Sequence, residues 1–133
     1  MLAFYLSFVV TITVIARIKS AKAQYKLALF WSYKAIQNGR TELRAEIFWN
    51  IVLFIPIGIL LSLILAGKLK WLVILISMLL SAGIEVTQLL FHRGLFEFDD
   101  IVHNTLGAVT GVLVFIGFRL VTDKFRVRQL PRS

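Results

Sequence analysis

Apolar residues fall along the chain in four blocks, 2–16, 47–66, 71–91 and 99–118, separated by one long polar connection, 17–46, and two short links. Block 47–66 runs for twenty residues without a charge, and a helix of that length crosses the hydrocarbon core of a bilayer. Block 2–16 is shorter: its fifteen residues reach about 23 Å as a helix, against a core of about 30 Å. It lacks the basic lead that normally precedes a first span, so its start reads as lying downstream of the natural one. No small-x-small cleavage site precedes a soluble domain, so it does not read as a signal peptide. The pattern predicts an all-α membrane protein, a compact bundle of four transmembrane helices forming a single domain over 1–133. The link Gly67-Lys68-Leu69-Lys70 permits only a tight hairpin, so consecutive helices alternate in direction. One membrane face, face A, then collects residues near 47, 92 and 99, while face B collects 67–70 and the C-terminal end.

Polar residues inside these blocks are few and periodic. In the third block Ser77, Ser81, Glu85, Gln88 and His92 follow at steps of four, four, three and four, one helical face. In the fourth, Asp100, Asn104, Gly107 and Gly111 follow at four, three and four. Gly107-x-x-x-Gly111 is a small-xxx-small pattern, which with Asp100 and Asn104 describes a helix pressed against a partner. Asp99 and Asp100 also suit a helix start, where acids complement the dipole. In the second block Asn50 is the one strong amide. Pro56 frees the Val52 carbonyl, so Pro56 and Gly58 predict a kink or a close helix contact in mid-span. An ionisable side chain at membrane depth costs about 3 kcal/mol on insertion scales. Yet stretch 84–111 holds Glu85, Gln88, Arg93, Asp99, Asp100 and Asn104. That concentration at face A, with Asn50 beside it, marks either a site or a closing ion-pair network with Arg93 on Asp99 or Asp100.

Between the first two blocks, 17–46 carries Arg17, Lys19, Lys22, Lys26, Lys34, Arg40 and Arg44. Tyr25, Leu27, Phe30, Trp31 and Tyr33 lie among those cations, which predicts an interfacial amphipathic segment at the headgroup layer. Stretch 119–133 adds Arg119, Lys124, Arg126, Arg128 and Arg132, and reads as a basic tail lying on anionic lipid headgroups. A net charge of +8 raises nucleic acid as a partner. The cations flank apolar spans instead of forming a stripe, so the expected partners are the lipid bilayer and its anionic headgroups, with no nucleic acid. At 59% hydrophobic and 17% charged, the chain lacks the polar surface a water-soluble globule needs. Cysteine is absent, which removes thiol chemistry and thiolate metal sites.

Specific chemistries find little support. Asp99 and Asp100 are adjacent and face different sides of a helix, and His92 and His103 show no ligand spacing with them, so no metal and no cofactor is expected. No nucleophile elbow is present. A non-enzymatic protein is therefore expected. The rival is an intramembrane enzyme acting on a lipid-linked phosphate, with Asp99 or Asp100 holding a metal and Glu85 as base. A small transporter is a third reading: four helices leave little room for a pathway unless the protein forms a homo-oligomer, which Gly107 and Gly111 could permit.

Three ordered blocks carry a family resemblance. Asn50-Ile-Val-Leu-Phe-Ile-Pro56-Ile-Gly58, Ser81-Ala-Gly-Ile-Glu85-Val-Thr-Gln88, and the run from Arg93 through Glu97, Asp99, Asp100, Asn104 and Gly107 to Gly111 resemble the VanZ-like family. Phe30-Trp31-Ser32-Tyr33-Lys34 resembles the loop ahead of its first motif, and Glu97 stands where the family commonly has Asp. The resemblance implies a small multi-pass protein of the bacterial plasma membrane with a polar site of Asn50, Glu85, Gln88, Arg93, Asp99, Asp100 and Asn104. The family is similar to a protein of glycopeptide resistance clusters that lowers susceptibility to teicoplanin at the cell surface. It thus implies an envelope role, with a glycopeptide or lipid-linked cell-wall precursor as ligand, and no particular reaction. Positive charges nearly tie between the faces, eight on face A and seven on face B. The aromatic segment would hold its lysines at the interface on either side, and short hairpins weigh more per charge. Both termini are therefore expected in the cytoplasm and the polar site outside.

Overall fold

The structure, a computed structural model, describes residues 1–128. Helix α1 spans Leu2–Val10 and widens into a π-helical turn over Thr11–Ile15. Strand β1 (Gln24–Lys26) and helix α2 (Trp31–Gln37) follow, then α3 (Leu43–Ile64), α4 (Lys70–Phe91), strand β2 (Leu95–Glu97) and α5 (Phe98–Arg128). Three helices, Leu43–Ile64, Lys70–Phe91 and Phe98–Phe125, are long and apolar enough to cross a membrane. The expected fourth, at the N-terminus, is apolar but shorter: Leu2–Ile15 reaches about 21 Å. Thr11 and Thr13 donate back to the carbonyls of Ser7 and Val9, each at 2.8 Å, where the helix loosens and ends.

Helices α3 and α5 make the most extensive contact in the molecule, and glycine sets its closeness. A Cβ at Gly58 would overlap the Ala108 carbonyl; one at Gly107 would overlap the Ile51 carbonyl, and one at Gly111 the Ile55 carbonyl. Gly107 and Gly111 are thus spent on packing within the chain. Helix α3 stays continuous through Pro56. Nearby, the Tyr5 hydroxyl donates to the Leu53 carbonyl at 2.9 Å, an outside partner for backbone next to the proline. Along α1, Met1, Phe4 and Tyr5 stand opposite Pro56, Ile59 and Leu60 towards face B, while Arg17 lies against Gly94 at face A.

The C-terminal stretch differs from the sequence reading. Residues 119–128 continue α5 as helix, and Arg119 donates to the Ala66 carbonyl at 2.7 Å, pinning the α3–α4 hairpin. The hairpin turns through positive φ at Ala66 and Gly67. The part of the expected tail that contains Arg132 lies outside the described residues. The interfacial segment is built from a short strand and a short helix. Strand β1 pairs in parallel with β2, Tyr25 opposite Phe96, and leaves Tyr25, Leu27, Leu29 and Phe30 exposed.

Candidate functional site at face A

The interfacial segment is folded over the end of the bundle by carboxylates. Helix α2 has no capping side chain of its own, and Phe30 at its start sits at φ +60°. Asp99 supplies the missing anion from α5: it accepts the N–H groups of Phe30 at 2.6 Å and Ser32 at 3.0 Å, and the Ser32 hydroxyl at 2.5 Å. Trp31 Nε1 donates to Glu97 Oε2 at 3.2 Å, and the Tyr33 hydroxyl shares a 3.0 Å hydrogen bond with His103 Nε2. Three consecutive residues of one short helix are therefore tied to three polar residues around the start of α5.

Beneath this cover the polar face of α4 meets α5. Asn104 Nδ2 donates to Ser81 Oγ at 2.8 Å, and Glu85 Oε2 accepts the Glu97 N–H at 2.9 Å. Gln88 Nε2 donates to the Thr13 carbonyl at 3.0 Å, leaving Gln88 Oε1 buried without a partner. Arg93 does not pair with Asp99 or Asp100. It donates to the Ile15 carbonyl at 2.7 Å and the Arg17 carbonyl at 3.4 Å. The left-handed turn at His92 and Gly94 directs it to the end of α1, whose last carbonyls lack helical partners. The closing ion-pair network, one of the two alternatives for this cluster, is not formed: among the described residues the one salt bridge is Arg40–Glu42, on the surface.

Asp100 faces away from α2. Asn50 stands beside it, with Arg17 and Glu46 in electrostatic range. Arg17, Glu46 and Asn50 line a cavity of about 300 Å³ that opens between the end of α1 and the start of α3. Gly94 makes room for Arg17, since a Cβ there would press on its side chain. Glu97, between the spans, is pushed up to about 7 by burial and by Asp100 and Glu46, against the opposing pull of the Trp31 hydrogen bond and Arg17. The mouth is thus lined by one carboxylate, Glu46, and one guanidinium, Arg17, with Asp100 and Glu97 buried nearby.

Of the residues expected at the site, Glu85, Gln88, Asp99, Asp100 and Asn104 are buried, and Asn50 is half-buried at the cavity. Arg93 sits to one side as a brace for α1. The sequence reading left out Arg17, Glu46, Trp31, Ser32, Tyr33 and His103 as site partners. The signal was three consecutive side chains with polar tips, 31–33, in a chain where Glu85, Glu97, Asp99 and Asp100 have Arg93 as the one Lys or Arg among them. Those tips had been assigned to lipid headgroups.

A family model described as VanZ/LLP1 matches residues 2–121. No curated protein and no solved structure matches the chain.

Proposed function

The chain belongs to the VanZ/LLP1 family, and on that premise we propose that it is a multi-pass protein of the bacterial plasma membrane that modulates glycopeptide susceptibility through face A. In this reading α1 is the fourth pass, running against α3 from Arg17 at face A towards Leu60 near face B. Both termini lie in the cytoplasm and the polar site outside. The ligand is a lipid-linked cell-wall precursor or a glycopeptide such as teicoplanin, held by the carboxyl and amide groups of Asp100 and Asn50. Exposed aromatics among the lysines of 19–34 rest in anionic headgroups.

The observation that carries a binding role over a catalytic one is how the carboxylates are spent. Both Asp99 oxygens are occupied by α2, and Glu85 Oε2 holds the Glu97 backbone. The enzyme alternative needs Asp99 or Asp100 for a metal and Glu85 for a base, and two of those three groups are committed to holding the fold. Asp100 remains, with Asn50 at its side, in an arrangement suited to hydrogen-bonded recognition. The test is teicoplanin susceptibility of a deletion strain carrying Asp100→Asn or Glu85→Gln at wild-type protein levels. Loss of complementation by Asp100→Asn is expected, and full complementation by both variants would leave the cluster a purely structural one.

A further inference from the structure

Two cavities lie end to end along the seam between α1 and α3. The lower, about 500 Å³, is lined by Met1, Phe4, Tyr5, Pro56, Ile59 and Leu60. The upper, about 300 Å³, is the one that opens at Arg17, Glu46 and Asn50. They share one stripe of α3: Glu46, Asn50, Leu53, Pro56 and Leu60 follow at steps of four, three, three and four. The Tyr5–Leu53 hydrogen bond crosses the seam between them as a strut. Elsewhere α3 is closed by glycine against α5, but no glycine lines either of these cavities and the seam stays open. From Asn50 to Leu60 is ten residues, about 15 Å and so about half the hydrocarbon thickness. The seam is therefore apolar over the depth of one leaflet and polar where a headgroup would sit.

The charges at the polar end select among lipids. Arg17 and Glu46 line the same cavity from α1 and α3, and neither is in a salt bridge among the described residues. A cation and an anion held apart across one mouth complement a ligand carrying both signs in the opposite order. We infer that the α1–α3 seam binds one phospholipid with a phosphate and a primary amine in its headgroup, the phosphatidylethanolamine type. Arg17 donates to the phosphate, Glu46 accepts from the ammonium, and the acyl chain fills the lower cavity. A headgroup with a phosphate and no amine leaves Glu46 unmatched, and a quaternary amine offers it no N–H to accept.

This names a ligand class at the mouth of the site proposed above and rests on the membrane placement of that reading. The experiment is native mass spectrometry of delipidated full-length protein in detergent, offered equal amounts of phosphatidylethanolamine, phosphatidylglycerol and phosphatidylcholine with matched chains. One phosphatidylethanolamine adduct is expected, favoured about tenfold over either competitor. Glu46→Gln, at an exposed position, should abolish the preference yet keep a single adduct. Ile59→Trp, filling the lower cavity, should weaken all three. Equal retention of the three lipids, or a preference untouched by Glu46→Gln, overturns the inference. Susceptibility in cells is a separate readout. Selective retention alongside full complementation by Asp100→Asn would keep the groove and sink the functional reading; the reverse pair of results would do the opposite.

Discussion

A carboxylate that accepts two backbone N–H groups and a hydroxyl, as Asp99 does from Phe30 and Ser32, gives α2 the anion its own first residues lack. Asp99→Asn keeps the shape and removes the charge. It should destabilise the docked α2 by about 2 kcal/mol, and Ser32→Ala by about 1 kcal/mol. Hydrogen exchange of the amides in 31–37 measures both, and unchanged protection in Asp99→Asn would show that the cap carries no weight. Glu97 gives a pH dependence with a definite sign. Burial and the neighbouring Asp100 and Glu46 push its carboxyl up to about 7 in the folded protein, from the ordinary value of 4.5. The folded state then holds a proton that the unfolded state has released, so this contribution is full below 4.5 and is lost as pH rises through 7. The difference in melting temperature between wild type and Glu97→Gln should therefore fall steadily from pH 5 to pH 8. A difference that stays flat or rises would contradict the assignment. In the sequence, Asp99 and Asp100 are legible as a cap or a site, but their partners are not. Ser32 lies 67 positions from Asp99, and nothing local to either residue encodes that closure.

At the scale of elements the spacing of small residues was readable, and what they pack against was not. Gly107 and Gly111 share a face by simple periodicity, which says that something approaches closely there. Whether that neighbour is another copy or another helix of the same chain depends on tertiary arrangement, and here it is α3, meeting them with Gly58. Alanine at Gly58, Gly107 or Gly111 places a methyl against backbone that cannot rotate away, and each should cost about 2 kcal/mol or more. Gly83 and Gly117 face open space, so alanine there should be neutral or stabilising by up to about 1 kcal/mol through helix propensity. Unfolding in mixed micelles separates the two groups. Equal effects at Gly107 and Gly117 would mean that propensity, not packing, governs these positions. The short elements were the least legible: β1 and α2 gain their order from β2, Asp99 and Glu97. Their own sequence offers only aromatic rings among lysines, which suits a headgroup layer equally well.

For the whole molecule the alternation of apolar blocks and tight links fixed the direction of three helices, and it left open the N-terminal helix and which face points outward. Charge counts alone do not decide, since face A carries eight basic residues and face B seven. The structure shows that several face A cations are engaged locally. Lys26 sits 4.6 Å over the Trp31 ring, Arg40 pairs with Glu42 at 3.0 Å, and Arg93 holds the Ile15 carbonyl. On face B the exposed hairpin residue Leu69 lies between Lys68 and Lys70, in a loop short enough for each charge to count fully. We therefore expect face B inside and face A outside, with α1 crossing to bring the N-terminus to face B. The chain has no cysteine, so single cysteines report cleanly. Substitutions at Lys22, Leu69 and Lys124, and a cysteine added ahead of Met1, would be treated with an impermeant maleimide before and after permeabilisation. Gly94 is avoided because any side chain there meets Arg17. The expected pattern is labelling of Lys22→Cys in intact cells and of the other three only after permeabilisation. Labelling of Leu69→Cys and Lys124→Cys in intact cells with Lys22→Cys silent would place face A in the cytoplasm, out of reach of an external glycopeptide. Labelling of the added N-terminal cysteine together with Lys22→Cys would mean that α1 enters the bundle from face A without crossing, leaving three passes.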